Sequence, residues 1–267
     1  MNKLWECDFT NEILEAPYVA NGQWWQKVTS AAQLPGDDLM FQMQVSDAAT
    51  DPTAYEQQHI IPGPGGVDTT LFQLVLGDEP GAPIGQARSN WTFRPNIQAY
   101  GRRWVQRSRI YLQPDLLEAM HGTGGFPWNF RQLWECKVGE YGKDPVFRMN
   151  FSVVWTPAGL RWSAATNYAP FSEHHPEDWT EEHGGVVVGQ WFDMEIDVEF
   201  KRTNGRFTVK INDHQIANFR GKTTPIPSGN IAGKWKLAVL YTANDRIARP
   251  HWQYVDKIEL YSAPEGG

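Results

Sequence analysis

Arginine, glutamine and aromatic side chains occur together on three candidate strands in the middle of the chain. Aromatic rings stack on the faces of sugars, and guanidinium and amide groups hydrogen-bond to hydroxyls and carboxylates. These residue types predict a glycan-binding surface formed by Arg107, Arg109, Gln132, Trp134 and Arg148. Two arginines on one strand favour an acidic sugar, because the local field at a cleft outweighs the net charge of the chain. The alternative interpretation is that the tryptophans belong to the core, where tryptophan is usually mostly buried.

A second pattern is a row of carboxylates at every other position, Asp193, Glu195, Asp197 and Glu199. Apolar residues stand between them from Phe192 to Phe200, and the alternation resumes after the turn at Asn204-Gly205. Because strand side chains alternate between two faces, the pattern predicts a β-hairpin with its apolar face on the core and its acidic row in water. We interpret the row as scaffold rather than as a metal or catalytic site, since alternating charge is usual on the wet face of such sheets.

Alternation of period two and frequent turn signals continue through most of the chain. They predict strands at residues 4–9, 38–45, 70–76, 104–112, 146–154, 160–165, 191–201, 206–212, 215–219, 234–241 and 252–261, with a further candidate at 129–137. Helix signal is confined to short pieces, the best at 114–120. No internal repeat or long linker divides the sequence. We therefore predict one all-β domain over residues 1–267, an antiparallel two-sheet sandwich of the jelly-roll kind.

Charge and hydropathy exclude several classes of partner. The net charge of -7, with no basic run, argues against nucleic acid. No stretch approaches the roughly 20 apolar residues of a membrane helix, and the start of the chain lacks the apolar core of a secretory signal. We expect the protein to act in a virion or at an extracellular surface without using the general secretion route. The two cysteines, Cys7 and Cys136, are equally compatible with a disulfide and with two buried thiols.

The order of several segments carries a resemblance to a known family. "RSNW" at 88–91 leads to "GRRWVQRSRIYLQPDL" at 101–116 and "NFRQLWECK" at 129–137. The hairpin at 190–213 follows, and "GKWKLAVLYT" and "WQYVDKIELY" close the chain. This order resembles the concanavalin-like jelly-roll polysaccharide lyases, a group that includes heparin- and glucuronan-lyase-like proteins. The resemblance covers about residues 85 to 261 and implies a concanavalin-like fold.

The resemblance also implies candidate catalytic residues. Such lyases perform β-elimination on a uronate, which needs a group to neutralise the carboxylate, a base and an acid. It implies Arg88 and Gln132 for the first role and Tyr241 for the other two. Trp134 stands where the family has histidine. Lys236 precedes Tyr241 by five residues, which places the two on opposite faces of a regular strand.

The resemblance also implies a structural calcium ion. Jelly rolls of this kind often carry a structural calcium where the first and last strands meet, which here implies Asp8 or Asp256 as ligands. No other cofactor is expected.

Three functions remain open from the sequence. The first is a non-enzymatic glycan-binding module of a surface assembly such as a phage particle, which the replaced family histidine favours. The second is a working polysaccharide lyase that uses Tyr241, Gln132 and Arg88 or Arg107. The third is an architectural virion protein whose jelly roll packs against protein neighbours.

Overall fold

Antiparallel strands account for most of the chain that can be described. The computed structural model describes residues 1–20, 23–29, 40–45, 56–75, 87–93, 97, 102–120, 130–140, 144–171, 173–226, 231–243 and 250–263. In chain order the first strands are β1 (Asn2–Cys7), β2 (Ile13–Leu14), β3 (Tyr18–Ala20), β4 (Gln23–Thr29), β5 (Met40–Val45), β6 (Glu56–Ile61), β7 (Thr70–Val75), β8 (Ala87–Phe93) and β9 (Arg103–Leu112). After the short helix α1 (Leu116–Met120) come β10 (Phe130–Glu140), β11 (Phe147–Thr156), β12 (Gly159–Tyr168), β13 (Trp179–His183), β14 (Trp191–Glu199), β15 (Gly205–Ile211), β16 (His214–Gly221), β17 (Ile231–Ala243) and β18 (His251–Ala263).

The described strands form two antiparallel sheets that share one hydrophobic core. The eight-stranded sheet has the order β16-β15-β14-β9-β18-β7-β6, with β1 also paired to β18. The ten-stranded sheet has the order β13-β12-β11-β10-β17-β8-β5-β4-β2, with β3 also paired to β4. This is the predicted all-β, antiparallel jelly-roll sandwich, and it is confirmed. Each sheet has one face on the core, and we call the other face its outer face.

The hairpin of β14 and β15 follows the predicted register. Asp197 pairs with Thr208, and Phe192, at the start of the apolar face, is 2% exposed. The carboxylates lie on the outer face, as the alternation requires, but their exposure to solvent differs. Asp193 is exposed, whereas Asp197 is only 8% exposed. The guanidinium groups of Arg103 and Arg206 cover the Asp197 carboxylate at 2.9 Å and 2.6 Å.

Large aromatic side chains fill the space between the sheets. Trp134 of β10 meets Trp235 of β17 edge to face at 4.9 Å and Phe207 of β15 in a stack at 5.5 Å. Trp104 of β9 contacts Trp235 at 5.9 Å. Contacts between rings of both sheets exclude water from the centre of the sandwich, which is the main source of its stability.

The sequence missed the more polar strands. Neither β6 (sequence EQQHII) nor β13 (sequence WTEEH) carries a clear apolar alternation, so only pairing with a neighbouring strand identifies them. Cys7 and Cys136 are both buried and free, which decides between the two alternatives left open for them. Among the described residues, no helix is long and apolar enough to cross a membrane.

Candidate functional site

Two β-bulges determine which side chains reach the outer face of the ten-stranded sheet. Between Gln132 and Trp134, β10 has one extra residue relative to β11. Gln132 therefore faces outward while Trp134 faces the core, although a regular strand would place both on one face. The next outward residue on β10 is Glu135.

A second bulge lies on the neighbouring strand. Between Lys236 and Ala238, β17 has one extra residue relative to β8. Lys236 faces outward, because its Nζ lies 3.5 Å from Oε1 of Gln132. Tyr241 pairs directly with Gln132, so both side chains share the outer face. The expectation that Lys236 and Tyr241 lie on opposite faces is therefore wrong, because it assumed a strand without a bulge.

Cross-strand pairing brings the predicted lyase residues together. Arg88 pairs with Tyr241 and Tyr241 pairs with Gln132, so the three positions form one row across β8, β17 and β10. In the adjacent row, Lys236 pairs with both Thr92 and Glu135. Tyr241 is 9% exposed and its ring contacts Phe130 at 5.3 Å. We call these two rows, with the basic residues Lys137 and Arg148 next to them, the outer-face site.

Glu135 is the acidic centre of the outer-face site. Its carboxylate forms an ion pair with Lys236 and lies 3.9 Å from Nζ of Lys137 and 4.0 Å from Nη1 of Arg148. Burial alone would raise the pKa of Glu135, but the three positive charges outweigh burial and hold the pKa well below its usual range. Glu135 is therefore a permanent carboxylate. With three cations around one anion, the site is positive in a chain whose net charge is -7.

Arg148 is held in place by neutral partners. Its Nη2 donates to Oδ1 of Asn167 at 3.1 Å, and Asn150 donates to the same oxygen at 3.2 Å. The guanidinium lies 5.0 Å from the ring of Phe171, and Lys137 lies 5.5 Å from the same ring. This arrangement fixes two cations and one aromatic ring at the edge of the site. Gln132 and Arg148, both chosen from the sequence, lie on this sheet on either side of Glu135, and their role in ligand binding stays a prediction.

Trp134 does not belong to a ligand-binding surface. It is fully buried, between Trp235 and Phe207 in the core. The prediction that Trp134 faces a groove is wrong, because the bulge after Gln132 turns the indole inward. Sequence reasoning missed Glu135 and Lys137, which take the outward positions instead. The signal in the sequence for the bulge was the stretch "RQLWEC", in which two polar residues are followed by two apolar ones instead of alternating with them.

Arg107 and Arg109 lie on the other sheet. Their strand, β9, pairs with β14 and β18, so both arginines face outward on the eight-stranded sheet. Arg107 binds Glu195 at 2.8 Å, and Arg109 lies 3.5 Å from Asp256. The prediction that they join Gln132 and Arg148 in one sheet is wrong. It failed because sheet membership depends on long-range pairing, which local alternation does not encode.

The implied calcium ligands do not form a cation site with other described residues. No group of three or more histidine, cysteine, aspartate or glutamate side chains suited to a metal occurs in the described part of the chain. Burial raises the pKa of Asp256, and the charges of Asp8 and Asp193 add to this against the opposing effect of Arg109. The guanidinium of Arg109, 3.5 Å from Asp256, disfavours a divalent cation at that carboxylate. Calcium stays an untested prediction.

Comparison of the chain with known proteins gave matches by structure but not by sequence. No protein-family model matches it, and no curated protein matches it. Among solved structures it is similar to the GlcNAcα1-4Gal releasing endo-β-galactosidase from Clostridium perfringens, with a TM-score of 0.52 and 11% identity over 97% of this chain. The chain spans 62% of that enzyme's length. The fold is a concanavalin-like jelly roll.

Two further likenesses are weaker. An alginate lyase variant in complex with alginate trisaccharide has a TM-score of 0.49 at 10% identity, covering 73% of this chain and 82% of that one. A glycoside hydrolase family 16 endo-glucanase from Bacteroides ovatus has a TM-score of 0.48 at 10% identity, covering 96% of this chain and 99% of that one. At such identities only the fold is shared. The expected virion component and surface localisation gain no support from these likenesses and stay predictions.

Proposed function

We propose that the protein is a polysaccharide lyase that cleaves uronate-containing glycans by β-elimination at the outer-face site. The observation that carries the proposal is the single row of Arg88, Tyr241 and Gln132 on three adjacent strands. These are the residues that the family resemblance implies for carboxylate neutralisation and proton transfer. The two bulges bring Lys236 and Glu135 to the same face as this row, and bulges are frequent next to active sites.

The charge of the site supports an acidic substrate. Lys137, Arg148 and Lys236 surround one carboxylate, so a uronate would enter a region of net positive charge. The amide of Gln132 would donate to the substrate carboxylate, which makes the proton at C5 more acidic. Elimination has to begin with this step, because an ionised uronate otherwise resists loss of that proton.

Tyr241 is the candidate for proton transfer. As phenolate it would remove the C5 proton, and as phenol it would then protonate the oxygen of the leaving sugar. Because Tyr241 lies directly opposite Gln132, the two groups would act on the same sugar unit.

Hydrolysis by a pair of carboxylates fits the site less well. Glycoside hydrolysis usually needs two carboxyl groups flanking the bond, one of them protonated. The five described strands β8, β17, β10, β11 and β12 contain two carboxylates, Glu135 and Glu140. The depressed pKa of Glu135 prevents it from acting as the protonated partner. This favours elimination over hydrolysis.

The test is direct, because elimination creates an unsaturated uronate that absorbs ultraviolet light. The chain would be incubated with alginate, glucuronan, heparin and pectate, and absorbance followed over time. We expect a rise with at least one polymer, its loss in Tyr241→Phe, and its retention in Tyr254→Phe, a tyrosine on the other sheet. No rise with any polymer, or a rise unaffected by Tyr241→Phe, would argue against the proposal.

The second candidate is a glycan-binding module without catalysis. The observation that favours it is Glu135, whose lowered pKa keeps it ionised, on the strand where the family has histidine. Binding of a uronate oligosaccharide without any absorbance change, weakened by Arg148→Ala, would select this function over the lyase.

A further inference from the structure

The outer face of the eight-stranded sheet carries a continuous row of rings. Register pairs His59 with Phe72, Phe72 with Tyr254, Tyr254 with Tyr111, and Tyr111 with Trp191. These five residues, which we call the aromatic row, come from five adjacent strands, β6, β7, β18, β9 and β14. Since neighbouring strands lie about 4.8 Å apart, the row is about 19 Å long.

The rings of the aromatic row contact each other and remain partly accessible. Phe72 and Tyr254 lie 5.0 Å apart, and Tyr111 and Trp191 lie 5.6 Å apart. His59 is exposed, and the other four are half-buried. Trp252 stacks on Tyr111 with an interplanar angle of 11°, which supports the row from one side. A single surface aromatic needs no explanation, but five in register across a solvent-side sheet form a ligand-sized patch.

The last ring of the aromatic row, Trp191, is held in place by its neighbours. The indole of Trp191 donates to the backbone oxygen of Pro64 at 3.0 Å, and the Arg109 guanidinium lies 5.4 Å from the same ring. A Cβ on Gly63 would lie 3.3 Å from the Trp191 ring, so the loop packs closely against it. Fixed rings bind a ligand with little loss of conformational entropy.

A polar groove runs alongside the row and begins at Arg109 and Asp193, two residues from Tyr111 and Trp191 on the same strands. It has a volume of about 440 Å³, within the usual range for small-ligand sites. The lining contains Arg107, Arg109, Asp193, Asp256 and seven further residues, with four basic and five acidic side chains in all. These groups offer both donors and acceptors, and their charges nearly cancel. The groove therefore suits hydroxyl groups and gives no net attraction to a polyanion.

We propose that the aromatic row and this groove form a second carbohydrate-binding surface that takes a neutral polysaccharide chain. Because Tyr111 meets Tyr254 at 84° and Trp191 at 66°, the rings offer both faces and edges to successive sugars, and the groove beside them hydrogen-bonds the sugar hydroxyls. The surface lies on the opposite sheet from the outer-face site and differs from it in charge. It does not depend on the lyase activity proposed above, since binding alone is measured.

The experiment is calorimetric titration of the full chain with cellohexaose, laminarihexaose and mannohexaose, three neutral hexasaccharides. We expect at least one to bind and Tyr254→Ala to weaken it about tenfold, the effect of losing one stacked ring. Tyr261→Ala is the matched control, because Tyr261 faces outward on the same strand but outside the row. Gln132→Leu, on the other sheet, is the second control, and neither control should change the affinity.

Several results would overturn the proposal. They are the absence of binding by all three hexasaccharides, binding unaffected by Tyr254→Ala, and binding lost in Gln132→Leu instead. A dimer that Tyr254→Ala dissociates would assign the surface to a second copy of the chain. If Tyr254→Ala does not fold, His59→Ala at the exposed end of the row takes its place, with weakened binding supporting the proposal and unchanged binding contradicting it.

Discussion

Lys236 and Glu135 form an ion pair between β17 and β10 although their side chains are only 1% and 4% exposed. Both side chains lie on the outer face of their sheet, so the pair does not belong to the sandwich core. Their low exposure shows that the pair is nevertheless shielded from water. Two charges removed from water are stable only while each compensates the other. The pair therefore ties the two bulged strands together at the outer-face site.

Breaking this pair from one side should be costly. We expect Lys236→Met to lower the free energy of unfolding by about 3 kcal/mol, because it leaves Glu135 less compensated in a buried position. The double variant Glu135→Gln with Lys236→Met should recover part of that loss, since no buried charge remains unpaired. Urea denaturation measures both. Equal losses in the single and double variants would show that the two residues are not coupled.

Trp134→Ala should destabilise the protein strongly. The indole is fully buried between Trp235 and Phe207, and its removal leaves a large cavity. We expect a loss of about 3–5 kcal/mol in the free energy of unfolding, as for other large-to-small core changes. Tyr261→Ala, at a half-buried surface position, should cost much less. A melting temperature that hardly changes in Trp134→Ala would contradict the burial of this residue in the core.

The acidic row of β14 should respond unevenly to loss of charge. Asp197 accepts hydrogen bonds from Arg103 at 3.1 Å and 2.9 Å and from Arg206 at 2.6 Å, whereas Asp193 is exposed. We expect Asp197→Asn to cost about 1–2 kcal/mol of unfolding free energy, the range for hydrogen bonds to a charged group. Asp193→Asn should change it by less than about 0.5 kcal/mol. Similar effects of the two substitutions would contradict this ranking.

His251 should make the protein less stable in mild acid. Burial, and then the positive charge of Arg131, lower the pKa of His251 from 6.5 to about 3. Between these values the unfolded chain binds a proton that the folded protein does not. The contribution of the neutral imidazole to the free energy of unfolding is therefore fully present above pH 6.5 and is lost as the pH falls toward 3.

The measurement is the free energy of unfolding as a function of pH. We expect a slope of up to about 1.4 kcal/mol per pH unit below pH 6.5. His251→Phe should reduce that slope, and His214→Gln, at the exposed start of β16, should not. An unchanged slope in His251→Phe would mean that another group governs the acid transition.

The sequence by itself determined the class of fold and the faces of its regular strands. From Phe192 to Phe200 the alternation is strict, so a one-residue slip would bury the carboxylates, and local chemistry suffices to orient the strand. It also selected Arg88, Gln132 and Tyr241, because the family resemblance depends on segment order, which the chain displays directly.

Only the tertiary structure decided which of these residues meet. The bulge after Gln132 turns Trp134 into the core, and the bulge after Lys236 brings that lysine to the face of Tyr241. A bulge is one residue without a ladder partner, and its position is set by the packing of the neighbouring strands rather than by its own residues. The placement of Arg107 on the other sheet has a similar cause. Arg107 pairs with Glu195 of β14 and with Glu259 of β18, both of which are distant in the sequence. The local pattern of residues around Arg107 does not encode such long-range pairings.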